Sequence, residues 1–581
     1  MLLQRLVEYA ERELELPPAG YQVQPIRYLI DLDGEGGAIG PVIDTADPAN
    51  KATKFGVRRL APHVKRANGI KPKLLTDTGV YVFGLARPDD RPERVAQQHE
   101  QFVELVRDCA ERTGEPAVAA ELAFLESFDP ERFALPDDFD PAATVAFRVD
   151  GVFPFDLPTV HAYWARLRGG DEEAVADDDG EALPCVICGN DRPALSRHPL
   201  KIKGIPGGQM SGTDLISANS AVFESFGLAN SLIAPTCARC AETYGNALNA
   251  LLANPETRLI LGNSIFIFWT AEQQTFSIAR LLSTDDPAEV KELLAAPLSG
   301  AAGAARLDAS AFYALGLGAS GSRVVVRSWL DSTVGAAKQR LIHYFALQQM
   351  VERDGQPGPP LPLGRLARAT VRDPKKDAPA PEVTDALLAL ALAGSPLPLG
   401  VLAQATRRCR ANQGVGRAQA ALIKMALCSE MDAEDGRIAA MSELDERSDD
   451  VAYRCGRLLA VLDAVQRRSL GTPNATLIDK YYGSASSAPA AVFGTLLAGA
   501  QHHMAKLRKD ERSRGAYVAL DRRLQDVMEG IDLFPRTLTL PEQGMFALGY
   551  YHQRADDRRQ AQERRDSADS RPNDGGEDGD A

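Results

Sequence analysis

The chain lacks most of the short patterns that mark an enzyme. Its 581 residues contain no GxxxxGK[ST] phosphate loop, no HExxH helix and no GxSxG elbow. GIPGGQMSG (204–212) is rich in glycine but has no Lys-Ser ending. The eight histidines are scattered, and His502–His503 have no acid at ligand spacing. Acidic clusters such as SELDERSDD read as a solvated helix face rather than a carboxylate pair. These absences make catalysis the weaker reading. No apolar run reaches the roughly 18 residues of a membrane span. The richest, ALLALALAGSPLPLGVLA, is broken by Gly394, Pro396 and Pro398. The opening MLLQRLVEYAERELEL reads as an amphipathic helix and has no signal-peptide pattern. The expectation is a cytoplasmic protein with no membrane partner.

The composition that remains is that of a globular chain, 45% hydrophobic and 25% charged, too long for one core. The net charge of −14 gives no global attraction to nucleic acid, so any such binding must come from local basic patches.

The eight cysteines divide into two groups. Cys109, Cys409, Cys428 and Cys455 are isolated in helical patterns and read as small buried hydrophobes. The others form two CxxC pairs, Cys185–Cys188 in PCVICGN and Cys237–Cys240 in PTCARCAE. In a reducing compartment such pairs favour metal over disulfide. Four thiolates complete the shell of a structural zinc ion and leave no open position for catalysis. Pro184, Gly189 and Pro235 supply the turns that present the sulfurs. A thioredoxin-like redox site does not fit, because neither pair sits in a βαβ unit. His198 ranks below the four thiols as a ligand.

Along the chain the expected class is α+β and multidomain. It has a mixed α/β N-terminal part with a zinc-knuckle-like insertion, a C-terminal helical bundle and a disordered acidic tail. YQVQPIRYLIDLDG, GVYVFGLA and VAFRVDG read as strands, and RPERVAQQHEQFVELVRDCAERTG as a helix stopped by Gly114. GGDEEAVADDDGEALP reads as an acidic loop. TRLILGNSIFIFWTA reads as a strand or hairpin and SRVVVRSWLDS as a buried strand. The divisions expected are 1–183, an N-terminal α+β region; 184–352, α+β with the four cysteines; 353–382, a Pro/Gly-rich linker; 383–552, a helical bundle; and 553–581, a disordered tail.

Three basic patches stand out. Residues 51–75 carry Lys51, Lys54, Arg58, Arg59, Lys65, Arg66, Lys71 and Lys73 with no acid. RHPLKIKGIPGGQMSG sets Arg197, Lys201 and Lys203 beside glycines that allow close backbone approach. Residues 405–424 hold five positive charges and no acid. One patch alone would fit a solvated surface as well as a binding surface; three on an acidic chain point to a nucleic-acid surface.

Several longer stretches carry a resemblance. HPLKIKGIPGGQMSGTDLISANSAVFESFG resembles the central signature of the CRISPR-associated Csd family, the large subunit of the type I-C interference complex (Cascade). NALNALLAN, SIFIFWTA and FYALGLGASGSRVVVRSW are similar to further family segments. So are YYGSASSAPAAVFGTLLAGAQHHMAKL and LFPRTLTLPEQGMFALGYYHQR, and the similarity runs from residue 1 to about 554.

The resemblance implies a non-enzymatic subunit of an RNA-guided antiviral complex. Such a subunit reads the protospacer-adjacent motif (PAM) in duplex DNA, helps open the strands and stabilises the R-loop, while a separate helicase–nuclease recruited in trans does the cutting. The implied partners are the guide RNA with the backbone, guide-end-binding and small subunits, and target double-stranded DNA. Guide pairing reads the long sequence and protein side chains read the short motif. The residues expected to contact DNA are Lys65, Arg66, Asn68, Lys71 and Lys73, and secondly Lys201, Lys203 and Gln209. The family also implies a small subunit made from an internal start, for which Met425, Met431 and Met441 are candidates. The four-cysteine zinc site rests on spacing in this chain, not on the resemblance. The alternatives are a metal-dependent nuclease subunit, which would need an open acidic or histidine site, and a purely structural scaffold.

Overall fold

The computed structural model describes all residues except 19, 65, 67–68, 89, 131, 168–181, 219, 272–276, 289, 291–308, 353, 433–434, 472–474 and 570–581. Most of the acidic loop at 169–184 and the end of the tail therefore lie outside the described residues. The chain divides into two compact units, Met1–Ile202 with Asp214–Ala250, and Lys203–Thr213 with Leu251–Ala581.

In the first unit, α1 (Leu2–Glu13) is the expected amphipathic helix, burying Leu6 and Ala10. β1 (Tyr21–Ile26) and β2 (Tyr28–Leu32) follow, then β3 (Ile43–Asp44), β4 (Val57–Pro62), β5 (Thr76–Thr78) and, later, β6 (Thr144–Val149). A four-stranded sheet has the order β3-β2-β6-β5. β2 and β6 run parallel, with Asp31 opposite Arg148 in a two-point ion pair of 2.7 and 2.8 Å. β1 and β4 form a separate antiparallel ribbon. GVYVFGLA gives a helix, α2 (Gly79–Phe83), not the expected strand. A five-residue apolar run has no decisive period. Here Gly84 at φ 68° closes a single buried turn. α3 (Pro92–Thr113) starts on Pro92 and stops at Gly114 in the left-handed region, as its sequence reads. α3 and α4 (Pro116–Ser127) cover a core of Tyr28, Phe102, Phe124 and Phe147, joined by α5 (Pro158–Leu167) with the buried Trp164. The short hairpin β7 (Ala182–Pro184)–β8 (Asp191–Pro193) and α6 (Ala238–Ala253) complete this unit.

The second unit begins with an antiparallel sheet ordered β12-β11-β10-β9, made of β9 (Arg258–Leu261), β10 (Ser264–Thr270), β11 (Ala311–Ser320) and β12 (Arg323–Thr333). β12 is an edge strand, and Val325 and Val326 are about two-fifths exposed. Its apolar run was expected to be buried. Run composition cannot distinguish an edge from a centre, and it is β11 that is buried along most of its length. α7 (Ile278–Ser283) and α8 (Val334–Gln348) pack on this sheet.

The remaining helices are α9 (Leu363–Arg368), α10 (Pro381–Ala393), α11 (Leu399–Asn412), α12 (Arg417–Cys428), α13 (Gly436–Ala440), α14 (Val451–Leu470), α15 (Leu477–Ala485), α16 (Pro489–Lys509), α17 (Arg514–Met528) and α18 (Leu540–Asp569). Sheet and helices share one continuous core. The Pro/Gly-rich stretch does not interrupt it, because Leu361, Leu363 and Leu366 insert into that core.

α18 also carries helix through 553–569, where the sequence reads as a disordered tail. The charges there fall in helical register. Arg559 pairs with Asp556 and Glu563, and Arg554 and Arg523 reach Asp463 and Asp557 at 3.0 and 2.6 Å. No helix among the described residues is long and apolar enough to cross a membrane.

Candidate functional site

The two CxxC pairs meet. PCVICGN is the turn of the β7–β8 hairpin. The Cys185 N–H donates to the Asn190 carbonyl at 2.9 Å, the Gly189 N–H donates to the Cys185 carbonyl at 2.8 Å, and Gly189 sits at φ 77°, which only glycine adopts freely. The second pair comes from the start of α6, with Cys237 just before the helix and Cys240 in its first turn. The halves are tied by backbone bonds, Val186 N–H to the Pro235 carbonyl at 2.8 Å and Leu195 N–H to the Thr236 carbonyl at 3.0 Å. The Cys237 N–H points at the Cys185 sulfur, 3.5 Å away.

All four sulfurs lie within 4.8 Å of one another. A zinc ion at about 2.3 Å from each sulfur needs them about 3.8 Å apart, so the cluster fits a tetrahedral ion with little movement. Three of the four cysteines are buried and Cys188 is exposed. The hydrogen bond from the Cys240 thiol holds Cys237 down to about 5, while the same contact, with burial, pushes Cys240 up. A thiolate is therefore already favoured at the N-terminal end of α6, where the helix dipole adds to it. His198 stands outside the cluster, hydrogen-bonded through Nδ1 to the Tyr244 hydroxyl. The other four cysteines are buried, as expected for packing residues.

The residues expected to contact DNA differ in how available they are. Lys65 and Asn68 lie outside the described residues. Arg66 is engaged on three sides. Its guanidinium reaches the Asp77 carboxylate and the Lys71 carbonyl, the latter at 2.8 Å, and stacks 3.9 Å from the centre of the Tyr81 ring. Lys73 is buried, its Nζ 2.7 Å from the Gln24 Oε1, and burial pulls its pKa down despite Asp77 nearby. Lys71 is half-buried. Lys201 pairs with Asp214. Lys203 and Gln209 are exposed in the second unit.

The same basic stretch contains better-presented cations. Lys51, Lys54 and Arg58 are exposed and make no ion pair with any described carboxylate. Lys54 lies 5.3 Å from the ring centre of Phe55, itself 70% exposed. Arg58 and the exposed Val57 begin β4 on the two-stranded ribbon. Arg59, next in sequence, is taken by Asp156 at 2.5 Å and by the Phe153 ring at 3.8 Å. Alternation along the strand puts Arg58 and Arg59 on opposite faces, but the sequence does not say which face meets a carboxylate; the fold brings Asp156 and Phe153 to Arg59.

A family model described as CRISPR-associated protein (Cas_Csd1) matches residues 3–557. No curated protein matches the chain.

Proposed function

The chain belongs to the CRISPR-associated Csd family, and on that premise we propose that it serves as the DNA-contacting large subunit of a type I-C Cascade. In this reading it binds the duplex at the PAM, assists strand opening, stabilises the R-loop and presents the complex to a separate helicase–nuclease. The role is one of binding, not catalysis.

The observation that carries the reading, beyond the family, is the cationic end of the β1–β4 ribbon. Lys51, Lys54 and Arg58 stand there without carboxylate partners among the described residues, beside an exposed aromatic ring. A two-stranded ribbon fits the major groove of B-DNA, which is about 12 Å wide. The three cations supply phosphate contacts that position the ribbon. Lys71, Lys203 and Gln209 remain in the proposed DNA-contacting set, with Lys65 and Asn68. Arg66, Lys73 and Lys201 act by holding their loops through Asp77, Gln24 and Asp214.

The four cysteines form a structural zinc site in this reading. The ion would hold Cys185, Cys188, Cys237 and Cys240 and supply a cross-link between the β7–β8 turn and α6.

The deciding experiment is reconstitution with guide RNA and the other type I-C subunits, followed by binding to a library of PAM duplexes. Complex containing this chain is expected to select one motif, and complex without it to select none. The triple variant Lys51→Gln, Lys54→Gln, Arg58→Gln should weaken all duplexes alike and flatten the salt dependence by about 2.7 in log–log slope. Motif selection without this chain would overturn the reading. Selection with this chain that the triple variant leaves untouched would overturn the ribbon assignment alone.

A further inference from the structure

The described residues of 217–230, in the first unit, make a loop with a closed base and an apolar tip. The base closes on the buried Ser231. Its hydroxyl donates to the Ile216 carbonyl at 3.2 Å, and its N–H donates to the Ser196 carbonyl at 3.0 Å. Leu195, next in sequence to Ser196, is bonded in turn to the Thr236 carbonyl beside Cys237. A loop of this length with its ends held together keeps its own shape.

From Ala221 to Gly227 every residue is exposed. Val222 is 86% and Phe226 98% exposed, and Phe223 is half-exposed. Three large apolar side chains side by side in solvent are unlike the single exposed residues of an ordinary surface.

The backbone at the tip sharpens the point. Ser225 to Leu228 is a tight turn, with the Leu228 N–H donating to the Ser225 carbonyl at 2.9 Å. Its central residues, Phe226 and Gly227, sit at φ 54° and 74°. Positive φ at both positions is the type I′ turn, whose favoured pair is Asn-Gly. A bulky residue seldom adopts that backbone, and asparagine would hold it at lower cost. Neither the turn nor packing within this chain accounts for an aromatic ring at 226.

Charge selects the class of partner. Residues 215–238 contain no Lys or Arg, and their one charged residue is Glu224, at the tip between the two aromatic rings. Contact with phosphate, in nucleic acid or at an anionic lipid surface, needs cations that this loop lacks. An apolar tip with one carboxylate complements an apolar pocket on a protein, with a cation at its mouth.

We infer that the 217–230 loop is a docking plug, seating Val222 and Phe226 in an apolar pocket of a neighbouring protein subunit with Glu224 against a cation at its rim. Exposed aromatic anchors that fill a partner's pocket carry most of an interface's binding. The plug rests on the large-subunit reading above and adds to it the contact that seats this chain in its complex.

The test uses the full chain and a complex of guide RNA with the other type I-C subunits, assembled without it. Uptake of the chain is titrated by native mass spectrometry. Phe226→Asn should melt at or above the parent temperature, because asparagine suits the turn. The double variant Val222→Ser, Phe226→Asn should nevertheless enter the complex about thirtyfold more weakly, or worse. In a second arm, p-benzoylphenylalanine replaces Val222 and the assembled complex is irradiated; the expected adduct is to a protein subunit. Parental affinity in the folded double variant would overturn the plug. So would an adduct to guide RNA, or no adduct in a complex that has assembled. A parent chain that enters no complex would overturn the large-subunit reading and the plug with it.

Discussion

The guanidinium of Arg66 closes onto the carboxylate of Asp77, whose side chain is entirely buried in β5. The same carboxylate accepts from the Lys73 and Thr78 N–H groups at 2.8 and 2.7 Å. One acid thus ties down Arg66 and the backbone at Lys73, two residues of the stretch whose sequence reads as a phosphate-binding patch. Removing one partner of a buried pair leaves the other charge unsatisfied and costs roughly 3–5 kcal/mol. Discounted for the partial exposure of Arg66, Arg66→Gln should lower stability by about 2 kcal/mol in urea melts. Arg58→Gln, on an exposed cation, should shift it by less than about 0.5 kcal/mol. An Arg66 variant as stable as the parent would free that side chain for DNA.

The cysteine cluster predicts one zinc per chain in freshly purified protein, measured by plasma mass spectrometry. Chelation should release it with loss of thermal stability. Cys240→Ser, on a buried ligand, should lose metal and stability together, whereas Cys109→Ser should keep the full metal content. Zinc-free protein with an unchanged melt would leave the four sulfurs as packing.

Two glycines set a close contact between α14 and α18. A Cβ on Gly456 of α14 would stand 2.0 Å from the Phe546 carbonyl oxygen of α18, and one on Gly549 of α18 would stand 2.1 Å from the Tyr453 carbonyl oxygen of α14. Backbone cannot yield as a side chain does, so Gly456→Ala should cost about 3 kcal/mol or more. Gly499→Ala in α16, where a Cβ meets nothing within 4 Å, should instead stabilise by about 0.5–1 kcal/mol through helix propensity. Opposite signs for the two alanines are the expected calorimetric result. A tolerated Gly456→Ala would exclude this backbone approach.

His552 is a buried, neutral imidazole. Its Nδ1 meets the Tyr453 hydroxyl at 2.9 Å and its Nε2 faces the Met350 sulfur at 3.2 Å. Burial, reinforced by Lys424, holds its pKa down to about 3. An unfolded histidine titrates near 6.5, so between about pH 6.5 and 3 the unfolded chain binds a proton that the folded chain refuses. Stability should therefore fall as pH drops through that window, with a contribution of at most about 1.4 kcal/mol per pH unit. His552→Gln should flatten the dependence by that increment in urea melts at stepped pH. An identical slope in the variant would mean that the histidine titrates normally.

Much of this protein is legible in its sequence because local chemistry suffices. Gly114 stops α3, Pro92 starts it, and the CxxC turns declare their geometry through Pro184 and Gly189. The family is legible too, because its long segments recur in order over nearly the whole chain. Spacing alone paired the two cysteine motifs. The fold then brought their sulfurs together across more than forty residues of sequence.

Tertiary structure alone decided which charges are available. Arg58 and Arg59 are identical neighbours, yet one is exposed and the other is held by Asp156 and Phe153. Arg407 and Lys424 belong to one basic run, yet one lines a groove and the other is enclosed by carbonyls. The same dependence made GVYVFGLA a helical turn, put the apolar run of β12 at a sheet edge and kept 553–569 helical. A side chain's charge is fixed by its chemistry, but its partners and its exposure to solvent come from segments distant in sequence, and those decide whether it can meet a phosphate.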